Sequence, residues 1–441
     1  MNCISSFKIK YDDLLALARR PRRLLAITLV VCTACNAPAS EPPPSSASLR
    51  YRIEYDVRPD PRSGSILVKL ELKQPRALLR ELTMRMSPHI AIVKADGQLD
   101  ASDSKIRWRP PANGGVLSWR VQVAHLRNSG GYDAWLGPDW GVFRAEDIIP
   151  RAATRTLRGA KSISSLVFEM PRGWSVVTQY FGRNGKFKVK NPRRRFDQPS
   201  GWIVIGQLGV RRENITGIRV AIAGPVNQSV RRLDTLALLR WTLPELSRLL
   251  PTLPRRLTIV SAGDPMWRGG LSAPSSLYIH SDRPLISENA TSTLLHEIMH
   301  LALGLSAEPG YDWLVEGLAE YYSLELLARS GTISAVRYKL AKADLAEWAT
   351  AAGPLCQSQS TGATTALATT VLSALDKEIR SQSEGAANLD DVVRELTRID
   401  SVIDLKLFAG IAEKLAGSKL DTLDIATLPG CRSISTTRTQ T

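Results

Sequence analysis

Residues 294–303 read LLHEIMHLAL, an apolar stretch in which His296 and His300 stand four apart and Glu297 directly follows the first. Four residues make about one helical turn, so a helix here stacks both imidazoles on one face, within reach of one ion. Glu297 projects about 100° further round, beside the coordination position left open, where a carboxylate can take a proton from water. This H-E-x-x-H pattern suits Zn2+, which lowers the pKa of a bound water toward about 7 and polarises a carbonyl. A buried helix that happens to carry two histidines is the alternative. Two observations weigh against it. The chain has only five histidines, two of them here, and the helix follows an apolar strand pattern, SSLYIHSD (275–282).

A catalytic zinc usually keeps three protein ligands, so a third belongs downstream. The stretch WLVEGLAEYY (313–322) supplies Glu316 and Glu320, again four apart on one helical face. Fifteen residues separate His300 from Glu316, enough for a turn and an antiparallel return. Glu316 completes a His2Glu set. Glu320, one turn on, is placed to accept a hydrogen bond from the far nitrogen of His296 or His300, which fixes a ligand's tautomer. Trp313, Leu314, Leu318 and Tyr321 mark this helix as packed rather than solvated, and an unpaired carboxylate buried there would be costly.

Around this pair the chain reads as α+β and multidomain. Residues 48–225 alternate apolar and polar side chains in LRYRIEYDV (49–57), SILVKLELK (65–73) and LSWRVQVA (117–124), broken by turn residues, which predicts a β-sandwich-like domain. Helical spacing begins near 230. RRLTIVSAG (255–263) reads as a buried strand, and the two motif helices follow, the first closed by Gly304 and the second capped by Asp312. From 333 on the pattern is mainly helical, which sets a catalytic domain at 226–345 and a helical region at 346–441.

The first 35 residues have the form of an export signal. Arg19, Arg20, Arg22 and Arg23 precede a short apolar run, LLAITLVVCTAC (24–35), too short to span a bilayer as a mature helix. Its end resembles a bacterial lipoprotein signal in which Cys35 is lipidated and becomes the first mature residue; ordinary signal cleavage is the alternative. Residues 36–47, rich in Pro, Ser and Ala, read as a tether. Export places the protein in a bacterial cell envelope, in the periplasm or on the outer membrane, and the lipid would be its membrane contact. The mature chain then holds only Cys356 and Cys431, which an oxidising compartment would join as a disulfide; two buried thiols are the other reading. The net charge is +16, and the signal carries six Lys or Arg against Asp12 and Asp13, so the mature chain stays near +12. That suits anionic surfaces such as lipid headgroups. The densest basic run, Arg193-Arg194-Arg195, lacks the interleaved aromatics of a nucleic-acid platform and reads as a solvated loop, so no nucleic-acid partner is expected.

The motifs together resemble a gluzincin metallopeptidase. WLVEGLAEYY is similar to the W-x-x-E-G-x-x-x-Y stretch of the alanyl and glycyl aminopeptidase families, and LSALDKEIRSQSEGAANLDDVVREL (372–396) resembles the later helices of the glycyl group. The similarity covers about 255–400. It implies a thermolysin-like zinc domain behind a β-rich one, with His296, His300 and Glu316 as zinc ligands, Glu297 as general base and a peptide or protein as substrate. Two positions depart from the families. A glutamate that holds the substrate's free amine is replaced by Ser272 in Arg268-Gly269-Gly270-Leu271-Ser272. A tyrosine that donates to the oxyanion is missing from Gln359-Ser360-Thr361-Gly362. Tyr338, Tyr311 and His280 are candidates to replace that donor. The resulting expectation is a secreted or lipid-anchored zinc metallopeptidase, endo- or exo-acting. Its rivals are a zinc-holding binding or assembly protein of the envelope with little catalysis, and a structural lipoprotein that binds no metal.

Overall fold

Alternation at the N-terminal end becomes a curved stack of strands. Arg50–Asp60 turns Tyr51, Ile53, Tyr55 and Val57 to one face, and Ser65–Lys73 buries Ile66, Val68, Leu70 and Leu72 opposite them across an antiparallel pair. The turn between them closes on Gly64, whose φ of 64° lies in the left-handed region open to glycine. In this computed structural model the described residues are 49–431 apart from 103, 192–195, 400 and 401. The expected signal over 1–35, the lipidation position Cys35, the tether over 36–47 and the run Arg193–Arg195 lie outside them. The described residues all belong to one compact unit.

Seven strands make the first sheet, with Arg50–Asp60 near its middle, parallel to Lys161–Phe168 and antiparallel to Ser65–Lys73. A four-stranded sheet of Ala152–Thr156, Leu79–Arg85, Lys105–Arg109 and Gln98–Ser102 packs Leu82, Met84, Ile106 and Trp108 into the same core. Two sheets burying one shared interior is the layered arrangement that alternating strands favour. A five-stranded sheet, built around Trp202–Gly206, leads toward the second half of the chain.

The second half is organised on another five-stranded sheet, in the order Leu208–Ile215, Ile218–Pro225, Arg256–Ala262, Ser276–His280, Gly270–Ala273. The three inner strands run parallel and the two outer ones antiparallel. Residues 208–225, expected at the end of the β-rich domain, lie in this sheet: Ile218–Pro225 pairs with Arg256–Ala262, and Leu208–Ile215 pairs with Ile218–Pro225. A strand's own sequence records alternation and not the identity of its partner. Ile218–Pro225 is buried almost throughout, as a strand covered on both faces should be. Trp202 and Val204 of the β-rich part share a core with Ala223, Val260, Ala262 and Tyr278 of this sheet, so the two halves are joined by packing.

Eight α-helices lie among the described residues: α1 (Ala145–Ile148), α2 (Arg232–Leu249), α3 (Thr293–Leu303), α4 (Asp312–Arg329), α5 (Ala335–Ala349), α6 (Ala363–Gln382), α7 (Leu389–Leu396) and α8 (Leu405–Ala416). Helix α3 is capped at one end by Ser292, whose Oγ accepts from the Leu295 N–H, and at the other by Gly304 at φ 60°. Helix α4 starts differently from the expectation. Asp312 is its first helical residue and not its cap, and its carboxylate accepts the Ser360 N–H at 2.7 Å. That bond fastens the 359–362 loop to the start of α4. Gly317 lets α6 close on α4: a Cβ there would lie 2.7 Å from the Ala368 Cβ. A disulfide joins Cys356 to Cys431 across the helical region.

Candidate metal centre

Helices α3 and α4 pack with His296 opposite Glu320 and His300 opposite Glu316, the pairing of antiparallel neighbours. Both Nε2 atoms turn to one point. They are 3.0 Å apart, and Glu316 lies 3.3 Å from the His296 Nε2 and 3.4 Å from the His300 Nε2. Ligands bound at about 2.0–2.1 Å in tetrahedral geometry stand roughly 3.3 Å from one another. The three residues therefore already have the separations that one small ion imposes. Among the described residues they are the group of donors, all within 4.8 Å, that could hold a metal.

The far side of His296 is committed. Its Nδ1 lies 2.9 Å from the Glu320 carboxylate. A proton on Nδ1 donating to Glu320 leaves the Nε2 lone pair free for a cation. The electrostatics point the same way. Burial pushes the His296 imidazole down, but its bonds to Glu316 and Glu320 outweigh this and bring it up to about 10. Burial pushes Glu316 up, and the two imidazoles overcome it and hold the carboxyl at about 2. Positive charge between these carboxylates is thus strongly favoured, and a divalent ion can supply it.

Glu297 is 9% exposed and sits against the edge strand Gly270–Ala273. Its Oε2 accepts the Ser272 backbone N–H at 2.7 Å. Burial raises the carboxyl above its usual range, and the imidazoles of His296 and His300 oppose the rise. A Cβ on residue 270 would stand 2.8 Å from the Glu297 Cγ and 3.2 Å from Oε1, so glycine is what allows the carboxylate to lie there.

Gly270 and the Ser272 N–H are the two contributions that sequence reasoning missed. The Gly269-Gly270 pair in a strand was the available signal of close approach; a backbone donor leaves none. Two of the proposed replacements for the missing tyrosine, Tyr338 and His280, have partners elsewhere. Tyr338 donates its hydroxyl to Glu325 on the outer side of α4. His280 is fully buried beside Asp264, and its Nδ1 accepts the Asp282 N–H. Tyr311 packs against the helical core at the start of α4.

Solved structures share this architecture. The chain superposes on an aminopeptidase N family protein from Idiomarina loihiensis with a TM-score of 0.60 at 18% identity, over 86% of this chain and 74% of that one. The fold is aminopeptidase-like. Yeast LTA4 hydrolase matches with a TM-score of 0.54 at 15% identity in its complex with bestatin, covering 89% of this chain and 71% of that one. Its native form matches at 0.52 and 15%, covering 86% and 68%. No family profile and no curated protein matches the sequence. At these identities the likeness establishes the mixed α/β fold alone.

Proposed function

We propose that this protein is a zinc metallopeptidase whose zinc domain, thermolysin-like in its α3–α4 core, hydrolyses peptide bonds. The observation that carries the reading is the convergence of His296, His300 and Glu316 at ion-sized separations beside a carboxylate pinned in place. The aminopeptidase-like fold supports it. In this reading His296, His300 and Glu316 hold Zn2+, and Glu320 keeps His296 in the binding tautomer. Bound zinc would supply the Lewis acid that makes water nucleophilic and polarises the carbonyl. Glu297 does the proton work. Its Oε2 is occupied by the Ser272 N–H, so Oε1 takes the proton from the attacking water and returns it to the departing amine nitrogen. Burial helps, because a carboxylate raised from its usual range is a stronger base. Ser272 offers no charge to a free amine, so selectivity for chain ends is not built in at that position.

A zinc-holding binding or assembly protein is the second reading, favoured by Ser272 and by the tyrosine-free loop 359–362. Zinc content separates both from a metal-free structural role. The purified chain should carry about one zinc ion and the His300→Ala variant little. Equal zinc in the two would end the metal reading.

Export to the cell envelope with a lipid on Cys35 completes the proposal and rests on the basic and apolar pattern of residues 19–35. Among the described residues no helix is long and apolar enough to cross a membrane. Fatty-acid labelling of cells expressing the protein should mark it and be lost in Cys35→Ser; labelling retained in that variant would refute lipidation at Cys35.

A further inference from the structure

Away from the metal centre, the mixed sheet gathers positive charge on one face. Arg219 and Arg256 are register partners on adjacent parallel strands. Asn214 is Arg219's partner on the other side, and Arg212, two residues before it, points to the same face. Like charges directly opposite one another destabilise a sheet, and here three arginines stand together. Among the described residues none of the three has a carboxylate partner. Glu213, the one acid among the described residues that line the cleft, is taken by Arg240 through bonds of 2.7 and 2.9 Å. Burial and the charges of Arg212 and Arg219 pull Arg256 below its ordinary value, so the arrangement is electrostatically unrelieved.

These arginines line a cleft of about 590 Å³ whose opposite wall comes from the β-rich half, including Val176, Phe181 and Phe187. Phe181 is both exposed and shared: the Arg219 and Arg256 guanidinium carbons lie 5.1 and 4.6 Å from its ring centre. Stacking on one ring holds the two planar groups in fixed positions with their N–H edges free. The volume is that of a small-molecule site.

We propose that this cleft binds a phosphate-bearing small ligand, its phosphoryl oxygens on Arg212, Arg219 and Arg256 and its carbon skeleton against Phe181 and Phe187. A phosphate monoester offers three acceptor oxygens and up to about two negative charges. It meets three guanidiniums better than a carboxylate with two oxygens and one charge, and guanidinium forks match phosphate geometry. The source is either a soluble phosphate monoester or the monoester headgroup of phosphatidic acid.

The test uses the full mature chain at one fixed low ionic strength, because exposed charges are screened by salt. Glycerol 3-phosphate binding is measured by calorimetry, and cosedimentation is measured with phosphatidic acid and phosphatidylcholine vesicles. The Arg219→Gln/Arg256→Gln double variant should bind about tenfold or more weakly. A charge-matched control, Arg58→Gln/Arg398→Gln, removes two arginines that have acidic partners elsewhere and should bind like the parent. Binding of glycerol 3-phosphate, lost in the first variant only, supports a soluble phosphoester. Selective capture by phosphatidic acid vesicles, lost in the first variant only, supports a lipid headgroup. Absence of both kinds of binding, undiminished binding in the first variant, or equal loss in the control overturns the proposal.

Discussion

Glu297→Gln is expected to lower peptide turnover by about 10²–10⁴-fold while leaving zinc content unchanged. The substitution is nearly isosteric. An amide oxygen can still accept the Ser272 N–H, so the side chain keeps its place on the edge strand. What it loses is the second oxygen, which becomes an NH2 that cannot take a proton. The metal donors are untouched, because His296, His300 and Glu316 meet one another without Glu297. Kinetics on a cleaved peptide and metal analysis of the same preparation check both halves. Turnover at the parent's rate would remove Glu297 from the proposed chemistry, and loss of zinc would mean that the residue shapes the metal site instead.

The second large effect is expected from a residue with no side chain. Gly270→Ala sets a methyl group 2.8 Å from the Glu297 Cγ. An exposed glutamate would swing away at little cost. This one is buried and held by the Ser272 N–H, so it must move against both restraints. Displacing a catalytic group by about 1 Å can cost about 10²-fold, and a loss of that order is expected in kcat, with zinc retained. Circular dichroism and thermal melting separate this from unfolding. A folded Gly270→Ala protein with full activity would show that Glu297 does not need its present position.

How much of this was legible in the chain follows from what local sequence encodes. The helices α3 and α4 and the stacking of their acids and histidines were readable, because i, i+4 spacing is a local rule. So was the pairing of Glu320 with a histidine, since an inward-facing carboxylate one turn beyond Glu316 needs a partner. The orientation of Glu297 was not readable, because its restraint is a backbone N–H on a strand 25 residues away. The role of Asp312 is hidden from the sequence for the same reason: its partner, Ser360, is 48 residues on. The sheet that takes up 208–225 was not readable either, because alternation reveals a strand and not its neighbour. Arg212, Arg219 and Arg256 are dispersed in the chain and only the sheet brings them to one face, whereas the charges of Arg193–Arg195 are consecutive in the sequence.

The central claim is tested most directly by digesting a peptide library with the mature protein and reading the products by mass spectrometry. Three samples are compared: as purified with zinc, after chelation, and after zinc is restored. Cleavage that disappears on chelation and returns with zinc is the predicted result. No cleavage in any sample, from protein that is folded and carries zinc, would contradict a peptidase and leave a metal-holding binding protein in its place.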